Sequence, residues 1–125
     1  MWLALEKEGM GLLPYFPLAS GLLTGKYERG KDIPAGTRYA VMGRFGERYM
    51  TEENWRIVED LTAFAKSKGH TLLELAFAWL IARPRLSSVI AGATRPGQVE
   101  QNVKAAAWKL NAAEIAEVDR LTSKA

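Results

Sequence analysis

The stretch SSVIAGATRPGQVEQN, Ser87 to Asn102, brings phosphate-binding residue types into close succession. A β-branched pair, Val89 and Ile90, leads into Gly92, Ala93 and Thr94, and Pro96 then opens a predicted helix. A strand that passes through glycine into a helix start leaves backbone N–H groups at the positive end of a helix dipole, an arrangement that suits an anion. Arg95 adds a planar, permanently charged donor for a second phosphate, and Gln98, Gln101 and Asn102 line the first turns as amide readers. Together these residues point to a nucleotide. Taken alone, the same turn also fits an ordinary strand-to-helix connection whose arginine is merely solvated.

Other chemistries lack the residues to carry them. With no cysteine, the chain can form no disulfide, no thiolate metal site and no cysteine nucleophile. The single histidine, His70, falls in the predicted helix–helix turn Gly69-His70-Thr71, where turn and cap residues are expected to face solvent. No Ser/His/Asp set, HExxH pattern or paired metal-ligand spacing occurs, so no catalytic or metal-binding residue is assigned. A cysteine-free composition fits a reducing compartment, and a cytoplasmic location is expected. No apolar run approaches the roughly 18 residues of a membrane span. The start of the chain, MWLALEKEGMG, interrupts its apolar residues with Glu6, Lys7 and Glu8, so neither a signal peptide nor a membrane helix is expected.

The elements that must position these residues follow from the hydrophobic pattern. The chain of 125 residues is long enough for one core. Trp2, Leu3 and Leu5 read as the last turns of an amphipathic helix stopped by Gly9, and the missing N-cap makes that helix look cut. Gly11 to Leu18 reads as a short strand buried on both faces, although Pro14 would have to sit at an edge or near its start. A long loop, 24–50, follows the glycine-punctuated turn ASGLLTGK. It holds six basic residues (Lys26, Arg29, Lys31, Arg38, Arg44, Arg48) against Glu28, Asp32 and Glu47, which accounts for the whole net charge of +3. A helix capped by Thr51 carries Trp55, Val58, Leu61, Phe64 and Ala65 on one face. A second helix, boxed by Thr71 and Glu74, carries Leu72, Leu75, Ala76, Trp79 and Leu80. After a strand over Ser88 to Ala91, helices are predicted from Pro96 to about Lys109 and, behind an Asn111/Glu114 box, from Ala112 to about Thr122. Strands alternating with helices indicate a parallel α/β arrangement, and two strands cannot complete such a sheet. The chain therefore reads as part of a larger one.

Two segments in order, LLPYFPLASGLLTGKY (Leu12 to Tyr27) and VIAGATRPGQVEQN (Val89 to Asn102), resemble the two cofactor-binding signatures of the aldo-keto reductases, and the likeness covers almost the whole chain. The resemblance implies an α/β fold, a partial TIM (β/α)8 barrel: strands seven and eight, helices six to eight and a C-terminal helix. Residues 1–125 would then be a C-terminal, cofactor-binding fragment of a barrel that needs about 250 residues. It also implies NADP(H) as cofactor and reduction of aldehydes or ketones to alcohols by the intact protein. By position, Tyr15 matches the aromatic that stacks on the nicotinamide, and Phe16, Pro17, Leu18, Ala19 and Ser20 match the stretch along the pyrophosphate, with Gly21 permitting close approach. Lys26 and Arg38 match basic residues closing over the pyrophosphate, Gly92, Thr94 and Arg95 those around the 2′-phosphate, and Gln98, Gln101 and Asn102 those at the adenine and its ribose. Gln101 departs from the usual Glu and keeps an acceptor without the charge. The family's catalytic Asp, Tyr, Lys and His lie on earlier strands that the fragment does not contain, so the resemblance implies that it is inactive alone. Its expected partners are the cofactor, a carbonyl substrate in the intact protein, and a completing chain or a second copy.

Two further readings stand beside this one. A non-catalytic NADP(H)-binding sensor or scaffold module would use the same residues. The aromatics Tyr27, Tyr39, Phe45 and Tyr49 among the arginines of 24–50 could alternatively form a nucleic-acid surface, but an excess of +3 is a weak electrostatic footprint, and neither nucleic acid nor membrane is expected as a partner.

Overall fold

The computed structural model describes residues 2–123, the side chain of Phe45 excepted. Helices dominate it. The first, α1 (Trp2–Lys7), ends where Gly9 takes φ +65° and Met10 N–H reaches back to the Leu5 carbonyl, a left-handed stop that a side chain would strain. A 3-10 turn over Ala19–Thr24 follows. Two short helices, α2 (Arg38–Met42) and α3 (Arg44–Glu47), lie within the basic segment 24–50.

The core rests on α4 (Glu52–Ser67) and α5 (Leu72–Ile81). Thr51 caps α4 by accepting from the Asn54 N–H, and Glu52 and Glu53 complement the dipole of its first turn. Thr71 and Glu74 form a reciprocal box at α5, their backbone N–H groups each bonded by the other's side chain. The α4 stripe of Trp55, Val58, Leu61 and Ala65 packs with Leu72 and Leu75 of α5 and Val118 of α7 (Ala112–Thr122), which Asn111 and Glu114 box in the same way. Trp79 and Trp108 lie at the edge of this cluster. One contact ties α5 to α7 through polar groups. Asp119 accepts from Trp79 Nε1 at 2.7 Å and pairs with Arg83, whose guanidinium lies 3.9 Å from the Trp79 ring centre.

The two strands expected over Gly11–Leu18 and Ser88–Ala91 do not form ladders. Among the described residues the only β-pairing is a single parallel bridge, Leu12 to Leu86, in which Leu12 N–H donates to the Arg85 carbonyl at 2.7 Å and Ser87 N–H to the Leu12 carbonyl at 2.9 Å. The bridge falls at Leu86, before the expected Ser88–Ala91 strand, so among the described residues that segment has no paired neighbour and Gly11–Leu18 has one where a parallel sheet supplies two; Pro14 and Pro17 remove the donors that would extend the pairing. The bridge nevertheless fixes direction: both segments leave it the same way. Helix α6 (Pro96–Ala105) also stops short of Lys109, because the chain turns after Ala106 and lays Trp108 flat on His70, ring centres 4.0 Å apart and planes 9° from parallel. His70 is accordingly half-buried, with Nδ1 3.2 Å from Glu74 Oε1, and is not the solvated turn residue that its sequence position suggested.

Candidate functional site

The backbone from Phe16 to Gly21 gathers the strained dihedrals of the described residues. Phe16, Ala19 and Ser20 all have positive φ (53°, 48° and 57°), a region costly for residues with a Cβ, and they are the only non-glycine residues there among those described. Gly21 follows at φ +102°. There the lysine at position 26 folds back so that its Cε and Nζ stand 3.1 Å from the place a Cβ on Gly21 would occupy, so glycine serves both the dihedral and the close approach. Three backbone bonds hold the turn: Ala19 N–H to the Phe16 carbonyl, and Gly21 and Leu23 N–H to the Leu18 carbonyl. Ser20 is buried, and its hydroxyl has no hydrogen-bond partner among the described residues.

Charged and aromatic groups gather over this turn. Arg38, at the start of α2, lies 5.6 Å from the Phe16 ring centre, and the Tyr15 and Phe16 rings are 4.0 Å apart. Tyr15 is 85% exposed, leaving its ring face open. A pocket of about 380 Å³ beside them is lined by Phe16, Val41, Met42, Arg48 and Tyr49. The structure thus assembles Tyr15, Phe16, Gly21, Lys26 and Arg38 into one locality, although the last two are separated in sequence by a segment without regular period. A second cavity, about 240 Å³ between α4, α5 and α7, is lined almost wholly by apolar side chains and offers no reacting group.

The second group of predicted residues surrounds the start of α6. Gly92, Thr94, Arg95, Gln98 and Gln101 are exposed and Asn102 is half-buried. Gln98 Oε1 accepts from Thr94 N–H (2.7 Å), Thr94 Oγ1 (3.2 Å) and Arg95 N–H (3.2 Å). The amide expected to read a base therefore closes the very donors expected to meet a phosphate, and an anion at this turn must compete with it. The Arg95 guanidinium has no hydrogen bond among the described residues, and no hydrogen bond among them joins the α6 group to the Tyr15–Arg38 group. Their common feature is the parallel bridge, from which both segments run in one direction.

The basic segment 24–50 is built less for a polyanion than its composition suggests. Tyr27 and Tyr39 are buried, so their faces cannot stack on bases. Arg29 is drawn to Glu52 and Glu59 of α4, and Lys31 pairs with Glu28. Sequence reasoning had assigned no role to the tyrosines individually, although Tyr27 directly follows Lys26. Their pairing with the strained turn needs the tertiary fold to be visible. Among the described residues no group of three or more acidic, histidine or cysteine side chains is placed to hold a metal ion, and no helix is long and apolar enough to cross a membrane.

Comparison with known proteins gives a consistent set of likenesses. The sequence profile of the Aldo/keto reductase family matches residues 3–123. A probable voltage-gated potassium channel subunit beta of Arabidopsis thaliana is 43% identical over 99 residues, 78% of this chain and 30% of that protein. An L-glyceraldehyde 3-phosphate reductase of Escherichia coli is 34% identical over 121 residues, 93% of this chain and 34% of that protein. The structure of a glycerol dehydrogenase from Gluconobacter oxydans superposes with a TM-score of 0.72 at 25% identity, covering 97% of this chain and 36% of that one. The chain spans about a third of the length of the curated relatives it matches.

Proposed function

The chain belongs to the aldo/keto reductase family, and from that premise we propose that it supplies the NADP(H)-binding portion of an oxidoreductase that reduces aldehydes or ketones to alcohols. The observation that carries the reading is the run of left-handed, non-glycine residues in the matching segment: strain of this kind persists where the surroundings impose it, and here Phe16, Ala19 and Ser20 coincide with the stretch matched to the pyrophosphate. The local chemistry fits such a group. Lys26 and Arg38 bring two positive charges over the turn, Ser20 contributes a buried hydroxyl with no partner among the described residues, and Arg95 holds a guanidinium at the far end.

When bound, the cofactor would supply a hydride to the carbonyl carbon while a proton reaches the carbonyl oxygen. The chain's own part is to bind and orient. Tyr15 presents an open ring on which the nicotinamide can rest, Lys26 and Arg38 neutralise the pyrophosphate, and Arg95 meets the 2′-phosphate with paired, charge-assisted hydrogen bonds. The proton donor is not among these residues. It belongs to parts of the barrel beyond this third, whether they precede these residues in one polypeptide or come from a completing chain.

Titration with NADPH and NADH, followed by nucleotide fluorescence, tests the reading. Arg95→Ala should weaken NADPH by about tenfold or more, the scale of a lost charge-assisted contact, and leave NADH nearly unchanged. Equal loss for both would remove the 2′-phosphate role, and no binding by the unaltered chain would remove the cofactor reading.

A further inference from the structure

We propose that Tyr39 is a positioning residue for the candidate cofactor site, its hydroxyl latching the strained turn at Ala19 while its backbone sets Arg38 above Phe16; this rests on the cofactor reading. The geometry has two ends. Tyr39 O–H donates to the Ala19 carbonyl at 2.7 Å, on the peptide that joins the two consecutive left-handed residues Ala19 and Ser20. Tyr39 N–H donates to the Tyr27 hydroxyl at 3.4 Å, which fixes the first turn of α2 and with it the neighbouring Arg38. Tyr39 is 1% exposed, a burial that an irregular basic segment would not give a phenol without cause. Its ring meets Tyr27 edge-on at 4.9 Å and Tyr49 at 6.5 Å. Gly46 of α3 closes the remaining side, where a Cβ would lie 2.5 Å from Tyr39 Cδ1.

Burial first, and then the neighbouring Tyr27 and Tyr49, push the phenol up to about 12, so the hydroxyl stays a donor at any working pH. A single residue therefore couples the order of the segment 24–50 to the shape of the turn at 19–21. If segment and turn hold one ligand between them, neither closes correctly without the other.

Tyr39→Phe keeps the ring and deletes the latch, while Gly46→Ala leaves the hydroxyl and pushes the ring away. Hydrogen exchange of the unliganded chain should show the Ala19, Gly21 and Leu23 amides opening about tenfold faster in both variants, the size of one lost hydrogen bond, with amides of α4 and α5 unchanged. NADPH should bind about five- to tenfold more weakly to each. Unchanged turn amides in both variants overturn the latch. Faster exchange with undiminished NADPH binding overturns its role in the site. A parent chain that binds no NADPH overturns the cofactor reading itself and this role with it, a result distinct from variants that bind as well as the parent.

Discussion

Asp119 and Glu74 hold different parts of the structure by the same physics. Burial alone would raise the Asp119 carboxyl, but hydrogen bonds from Arg83 and Trp79 and the Arg83 charge outweigh it and hold the group below its ordinary 3.8. Glu74 is held below its ordinary 4.5 chiefly by the Thr71 backbone N–H, with the Thr71 hydroxyl and His70 adding to it. Both values are lower in the folded chain than in the unfolded one, so as pH falls the unfolded chain takes up protons first. The stabilisation is complete above the ordinary values of 4.5 and 3.8 and is lost as pH drops through the folded values. Melting curves recorded from neutral pH down through the carboxylate range should steepen below those values, and Glu74→Gln with Asp119→Asn should flatten that fall; an acid slope identical to the parent's would assign it to other carboxylates. Neither the Asp119 contacts nor the His70–Trp108 stack was legible in the sequence, because each pairs residues far apart along the chain. What singles out the Tyr15–Gly21 and Gly92–Asn102 segments as a candidate site is local chemistry that a sequence can carry: glycines, an arginine and amides at short spacing.

At the scale of elements, what could be read in advance was whatever a few consecutive residues decide. Thr51, the Thr71/Glu74 box and the Asn111/Glu114 box each start a helix where their side chains demanded one. Helix ends set by tertiary contact were not legible, as the early stop of α6 before Trp108 shows. Strands failed for a related reason. A helix closes its own hydrogen bonds, whereas Gly11–Leu18 and Ser88–Ala91 depend on neighbouring strands that do not occur among the described residues, whose one bridge joins Leu12 and Leu86. Because the α5 box anchors the helix that packs on both α4 and the 3-10 turn, its loss should be felt across the molecule. Thr71→Ala should cost about 1 kcal/mol in a urea titration and Thr71→Asp almost nothing. Leu75→Ala, at a position 1% exposed in the middle of α5, should cost about 2–5 kcal/mol. A Thr71→Ala loss as large as that of Leu75→Ala would mean that the cap also holds something beyond its own helix.

At the scale of the whole molecule, exposed apolar side chains show where the chain can meet its surroundings. Leu3 on α1 is 82% exposed, Val41 on α2 83%, Ile90 64% and Val103 on α6 69%, and they come from well-separated parts of the chain. Near Ile90 run the irregular segments 11–15 and 88–91, which among the described residues make no backbone hydrogen bonds other than those of Leu12 at the bridge to Leu86. Unpaired strand edges are templates for another strand, and exposed apolar side chains add a driving force of about 25 cal/mol for each Å² they bury. Both features act in one direction, so the purified chain should associate with itself. Sedimentation velocity over a range of concentrations should show heavier species growing with concentration. Ile90→Lys in the 88–91 segment and Val103→Lys on α6 should shift the distribution back toward monomer, the first because a charge on a strand edge opposes pairing and both because they remove exposed apolar surface. A compact monomer at every concentration would contradict this account, and would mean that the two segments and their flanking helices satisfy one another better than a single bridge indicates.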